Sequence, residues 1–201
     1  EVVKDNITEL LSYSETQKLL DGVPDEHQKL VGDIIPSQIT LTAMQRVLQG
    51  LLNENVSIRD LPTIMEAVSE AASNSTNILS VIEHVRSRLA KQICNLNMNE
   101  NGYIPLVVLS PKWEQVFMES LVGSGDEKQL SLPPTKLQEF VGAVNGEFEK
   151  HAIAGELPVI LTSPTLRPYV RSIVERFRPT IIIMSQNEVH PKAKIKTLGQ
   201  I

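Results

Sequence analysis

Four histidines, at positions 27, 84, 151 and 190, are the side chains best suited to acid–base or metal chemistry near neutral pH, and they are scattered along the chain. No two stand at a metal-ligand spacing and none has a neighbouring cysteine. His84 follows a helical pattern beside Val85 and reads as a structural residue. The single cysteine, Cys94, closes a helical segment on its apolar side, which reads as a small core residue rather than a nucleophile. The run Gly123-Ser124-Gly125-Asp126-Glu127-Lys128 is glycine-rich like a phosphate loop. It lacks the P-loop spacing, does not directly follow a strand, and sets two acids where a phosphate would lie. No Gly-x-Ser-x-Gly elbow occurs. Arg167, Arg171 and Arg178 fall roughly on one helical face, and Lys192, Lys194 and Lys196 alternate along an edge-strand candidate. Their plain reading is a solvated surface with lysines guarding the edge; the sharper one is docking of an acidic partner. No catalytic, metal or cofactor site emerges, and the residues alone describe a non-catalytic interaction module.

Charge and composition narrow the classes. The chain of 201 residues carries 19 Lys+Arg against 24 Asp+Glu, net −5. Non-specific nucleic-acid or anionic-membrane binding needs a basic surface instead. Residues 1–99 hold 13 acids and 8 bases, residues 100–201 hold 11 of each, so the acidity belongs to the first half. One cysteine excludes a disulfide framework, and no apolar run reaches the roughly 20 residues of a membrane span. Glu1 is not a methionine and Val2–Asn6 reads like the inside of a helix, so the chain is expected to be a segment of a longer protein.

The elements that position these residues change period half-way. Leu41, Met44, Val47, Leu48, Leu51 and Leu52 form a core-facing helical stripe, with Thr40 as its cap. Ile78, Ile82, Val85, Leu89 and Ile93 predict one helix of four turns, capped by Asn74 or Thr76. Pro24 with Asp25 and Glu26 opens another helix, and Asp60 caps one beginning Leu61-Pro62. After the polar, turn-rich segment 97–102, strands are predicted over 103–109, 157–161 and 180–184, with a fourth over 193–198. Between them Ser110-Pro111, Pro133-Pro134 and Ser163-Pro164 open helices, the last running to Phe177. The fold class is α+β multidomain: an all-helical subdomain followed by a two-layer α/β subdomain with a small, roughly four-stranded sheet.

In the stretch Leu48–Ala67 an amphipathic helix ends at a polar turn and the next begins within a few residues. Arg59 beside Asp60 can tie that turn down with a charge-assisted hydrogen bond. This Ser57-Ile58-Arg59-Asp60-Leu61 corner is similar to the hallmark of the export-gate (FHIPEP) family of type III secretion. Further matching pieces are Ser14–Asp21, Ile34-Ile35-Pro36, Glu83-His84-Val85-Arg86 with Gln92-Ile93, Leu161–Arg167, and the Asn187-Glu188 pair with Val189 after the third strand. Their order and spacing fit essentially the whole chain. No self-cleaving Asn-Pro-Thr-His motif of the neighbouring switch protein is present.

The resemblance implies the end of a preceding subdomain over residues 1–20, a helical subdomain over 21–98 and an α/β C-terminal subdomain over 99–201. It implies a nonameric ring on the cytoplasmic face of the bacterial inner membrane, with membrane attachment only through a part preceding Glu1. Export chaperone–substrate complexes, the ATPase complex and the switch protein are the implied partners, and export switching the implied role; no nucleic acid is expected. Much of the chaperone-docking depression should lie upstream of this chain. The flagellar branch fits better than the virulence branch. Candidate assembly or partner-binding residues are Arg59, Asp60, Glu66, Arg86, Arg167 and Arg171. The competing reading is a small-ligand or nucleotide-binding α/β enzyme domain using the Gly123 loop at a strand–helix junction; a third is a nucleic-acid binder using Arg167, Arg171 and Arg178.

Overall fold

The computed structural model describes residues 11–124 and 128–201, and the chain divides at Leu89/Ala90 into two compact units. The helical expectation for residues 2–6 lies outside the described residues, as does the Gly125–Lys128 loop apart from Lys128 itself. Among the described residues no helix is long and apolar enough to cross a membrane.

The first unit is helical: α1 Tyr13–Asp21, α2 Asp25–Ile34, α3 Leu41–Asn53, α4 Leu61–Ala72 and α5 Ile78–Arg88. Capping follows local chemistry. Ser12, Thr40 and Asp60 accept from the backbone N–H three residues on, covering donors that a first turn leaves open. The α5 cap is Asn77 rather than Asn74 or Thr76: its Oδ1 accepts from Leu79 N at 2.8 Å and Ser80 N at 3.3 Å. The predicted stripe on α3 is core, with Met44, Val47, Leu48 and Leu51 fully buried, as are Ile64, Met65 and Val68 of α4. Tyr13 is the single aromatic residue among residues 1–89, and it is exposed, so this core is aliphatic. Gly50 lets α3 and α5 close on each other: a Cβ there would stand 2.5 Å from Ile82 Cδ1.

The four-turn helix expected from Ile78 to Ile93 is two helices. At Leu89 ψ opens to 14°, and α6 runs separately over Ala90–Leu96 as the start of the second unit. There β1 Ile104–Val108, α7 Pro111–Glu119, β2 Leu121–Val122, β3 Gln129–Leu130, α8 Pro134–Ile153, β4 Val159–Thr162, α9 Arg167–Val174, β5 Ile183–Ser185 and β6 Ile195–Gln200 follow. The main sheet is parallel, in the order β5-β4-β1-β6. Parallel neighbours need long crossovers, which the segments carrying α7 with α8 and α9 supply. Ile104, Leu106 and Val107 of the central β1 are fully buried, the continuous apolar run of a strand covered on both faces. Val107, Ile160 and Ile183 join Trp113, Phe117 and Phe140 in one core. The Phe140 ring meets Trp113 and Phe117 edge-on at centroid distances of 5.1 and 4.9 Å.

Three details differ from the sequence expectation. The segment Leu121–Leu130 holds an antiparallel pair, β2 with β3, so the Gly123 loop joins two strands rather than a strand to a helix. The last helix starts at Arg167, not at Pro164, because residues 164–166 form a turn first, and it ends at Val174. The third strand is shifted to Ile183–Ser185. The pairing of β1 with β6 slips between Leu106 (with Thr197) and Val107 (with Gly199), a bulge. It sets Gly199 beneath α8, where any Cβ would collide with the Glu147 carboxylate.

Two glycines should respond oppositely to added side chains. Gly142, in α8 with open space around it, should gain up to about 1 kcal/mol as Gly142→Ala from helix propensity. Gly50→Val should lose about 1–3 kcal/mol by overpacking against Ile82. Urea unfolding followed by Trp113 fluorescence for the former and by helical circular dichroism for the latter measures both.

Candidate assembly and docking residues

The corner between α3 and α4 is built by a helix ending that only a few residue types permit. Asn55 takes φ of +56°, its N–H reaches Leu52 O at 2.9 Å, and Val56 N reaches Leu51 O at 2.9 Å. This is a Schellman termination with asparagine in the left-handed position. Val56 is buried, as the residue after such a turn usually is. Beneath the corner lies Arg86 of α5, 1% exposed, with its Nη1 3.3 Å from Oε2 of Glu54. Arg86 therefore holds the helix ending from inside and presents no charge to solvent.

Arg59 and Asp60 are both exposed at this corner, but they do not bind each other in the way their adjacency suggests. The Asp60 carboxylate accepts from Thr63 N at 3.3 Å, drawn by the unpaired amides at the start of α4. The Arg59 backbone N–H donates to Ser57 Oγ at 3.4 Å, while its guanidinium makes no ion pair among the described residues. A cation is thus displayed on a rigid support. Glu66, exposed on α4, is 3.8 Å from Nη2 of Arg88, which also lies 3.5 Å from Glu70. His84 stands 2.9 Å from Glu70, and that hydrogen bond, helped by Arg88, holds the Glu70 carboxyl below the usual range.

In the second unit Arg167 is the first residue of α9 and is 1% exposed, not solvated. Its Nε lies 3.7 Å from Oε1 of Glu188, itself fully buried, and its Nη1 donates to Ile183 O at 3.3 Å. Glu188 Oε2 accepts from Ser185 N at 3.1 Å, completing a reciprocal cap of the short 3-10 turn Gln186–Glu188. The Glu188 carbonyl accepts from Cys94 Sγ at 3.1 Å, and Cys94 Sγ accepts from His190 N at 3.2 Å. Burial pushes the Cys94 thiol up, away from the thiolate that a nucleophile needs. The role of Glu188 was readable in principle: Ser185-x-x-Glu188 is the capping-box spacing. Arg171, one turn after Arg167, is largely buried and 3.4 Å from Glu175. Arg178 lies beyond α9, its Nε donating to Asn145 Oδ1 at 2.9 Å. The three arginines consequently form no shared exposed cationic face.

Among the described residues no group of three metal-binding side chains is gathered. His151 and Lys150 instead flank Glu147, at 3.1 and 2.8 Å, and the Lys150 hydrogen bond, with that of His151, keeps the Glu147 carboxyl low.

The profile of the FHIPEP family matches residues 1–194. Over all 201 residues the chain is 54% identical to the flagellar biosynthesis protein FlhA of Caulobacter vibrioides and 30% identical to FlhA of Bacillus subtilis. It spans about three tenths of the length of these curated relatives, 29% and 30%. Among solved structures it is similar to nonameric EPEC SctV-C (TM-score 0.89, 26% identity, all of this chain and 60% of that one). It is equally similar to the C-terminal domain of InvA (TM-score 0.90, 25% identity, 99% of this chain and 60% of that one). The Chlamydia pneumoniae CdsV chain solved in complex with CdsO gives a TM-score of 0.87 at 25% identity, over all of this chain and 58% of that one.

The Arg167–Glu188 pair carries a prediction. Glu188→Gln keeps an acceptor for Ser185 N but strands a buried guanidinium, and should cost about 3–5 kcal/mol. Adding Arg167→Met to it should restore much of that loss, giving a clear coupling in a double-mutant cycle. The cycle is read by urea unfolding with Trp113 fluorescence; a loss under about 1 kcal/mol for Glu188→Gln would mean that Glu188 is not the counter-charge.

Proposed function

Because the chain belongs to the FHIPEP family, we propose that it forms a cytoplasmic part of the flagellar protein-export gate, serving assembly and docking without catalysis. The observation that carries this reading is similarity that runs unbroken through both units to a flagellar relative, at 54% identity. The reading puts the chain on the cytoplasmic face of the bacterial inner membrane, tethered through a part of the protein outside this sequence. The first unit then contributes to a ring of nine copies, as similar proteins form in EPEC SctV-C and EscV. Residues 1–20 are then the end of a preceding subdomain, the rest of the unit ending at Leu89 is the ring-building helical part, and the unit from Ala90 is the α/β subdomain, a boundary about nine residues earlier than the expected 98/99.

Within this reading Arg59 is the residue best placed to meet a neighbouring copy. It is exposed, lacks an internal counter-ion among the described residues, and stands on a corner fixed by the Asn55 turn and the Asp60 cap. Glu66 offers an acidic surface on the same unit. Arg86 and Arg167 act through the fold, because neither reaches solvent. Arg171 shares that supporting role. Export chaperone–substrate complexes, the ATPase complex and the switch protein are the partners this gate would receive, with substrate switching as the outcome. CdsV, a similar protein, has been solved with CdsO, which supports export-apparatus partners for this chain.

Charge reversal at Arg59 should abolish or strongly reduce ring formation of the full-length protein while leaving the melting curve of the 201-residue chain unchanged. Electron microscopy of the purified full-length protein reads the first and circular dichroism the second. Intact rings in Arg59→Glu would remove this residue from the assembly surface. For docking, a flagellar chaperone–substrate complex titrated against this chain and against the whole cytoplasmic region should bind only the longer protein. Equal binding would move the contact surface into these 201 residues.

A further inference from the structure

At the amino ends of β1, β4 and β5 the second unit has a cavity of about 740 Å³, bounded by the segment Leu96–Asn101 and the turn Ala154–Pro158. That volume lies within the range of ordinary ligand pockets, roughly 300–1,000 Å³. Phe148, Val159 and Ile181 form its floor. Exposed aliphatic side chains stand at its mouth among the polar ones. Leu157 is 85% exposed and Ile153, which precedes the lining residue Ala154, is 91% exposed, and the lining residues Leu96 and Met98 are exposed too. The turn that displays them is specified by Gly155, whose φ of +72° ends α8, with Glu156 N donating to His151 O at 3.1 Å. In such endings the residue after the left-handed position usually packs back on the helix. Here that residue is Glu156, which turns to Tyr103 Oη at 2.6 Å, and the aliphatics on either side face water.

The electrostatics select one kind of occupant. Two helices, α6 and α8, end at this cavity at Leu96 and Ile153, and helix carboxyl ends carry partial negative charge. Glu100 adds a full charge with no ion pair or hydrogen bond among the described residues, and Glu156 adds another. Arg178, on the same wall, is taken up by Asn145 and, at 4.0 Å, by Glu149. An apolar floor and exposed aliphatics with acidic groups beside them suit large apolar anchors flanked by a cation. We propose that this cavity is a docking site for one amphipathic helix of a partner protein, seating two or three apolar side chains with a Lys or Arg against Glu100. The site stands on the α/β unit alone, so its failure leaves the ring-assembly reading untouched, and loss of rings would leave this site untouched.

The test titrates the isotopically labelled 201-residue chain with a synthetic amphipathic helix of about 18 residues, leucines along one face and lysines at the flanks. Backbone amides of residues 96–101 and 154–157 should shift together, saturating with Kd below about 100 µM. The same peptide with glutamates for lysines should bind at least about tenfold more weakly. Leu157→Asp and Glu100→Lys should each weaken the lysine peptide by a similar factor, while Leu79→Asp, exposed in the other unit, should not. Leu157 and Glu100 are exposed, so both variants should keep the amide pattern of the parent. Absence of saturable binding, equal binding of both peptides, or shifts centred elsewhere would each overturn the proposal. Shifts of residues 96–101 with protein concentration alone would also overturn it, since the occupant would then be a second copy.

Discussion

A guanidinium removed from water must find its counter-charge inside the protein, because the desolvation of either ion costs several kcal/mol and a stranded partner cannot be tolerated. Among the described residues each unit contains one fully buried arginine. In the helical unit Arg86 meets Glu54, the residue that ends α3, so the corner carrying Arg59 cannot move without uncovering a buried charge. In the α/β unit Arg167 meets Glu188, whose other contacts reach the end of β5 and, through Cys94, the helix α6. One carboxylate residue thus joins the start of α9, the end of β5 and α6. Geometry that surrounding surfaces depend on is set from these two points outward.

The two units solve packing with different materials. The helical core is aliphatic, and such a core gains dispersion energy only by close approach, which Gly50 provides between α3 and α5. The α/β core is organised around Trp113, Phe117 and Phe140, large rings that fill the space over a parallel sheet. The acidic bias of residues 1–99 fits the same division, since the helical unit leaves Glu66 and Glu70 on its surface, partly balanced by Arg88 and His84.

Periodicity and capping chemistry made most of this legible. The stripe Leu41–Leu52, the Thr40 and Asp60 caps, the Ser110-Pro111 start and the apolar β1 are local patterns, and the structure contains all of them. What stayed hidden depends on tertiary contacts. Nothing in the stripe from Ile78 to Ile93 announces the break at Leu89, because residues on both sides of it are apolar at helical spacing. The two-residue strands β2 and β3 are too short to show alternation. Arg167 and Arg86 read as surface charges, since arginine is seldom fully buried and its partners lie far away in sequence. The same limit applies to Arg59 and Asp60: adjacency suggested a bond, whereas the amides at the start of α4 claimed the carboxylate.

The pairing of β1 with β6 joins Ile104 to Ile195, a long loop to close before any contact rewards it. The helical unit forms from near neighbours in sequence, so it can be complete while the sheet still waits for its last strand. Until β6 arrives, β1 has an unsatisfied edge lined by some of the most apolar residues of the chain, the kind of edge on which chains aggregate. The order of synthesis therefore leaves the α/β unit vulnerable longest; of the alternating lysines at 192, 194 and 196, Lys196 lies on the strand that closes it and Lys194 just before it.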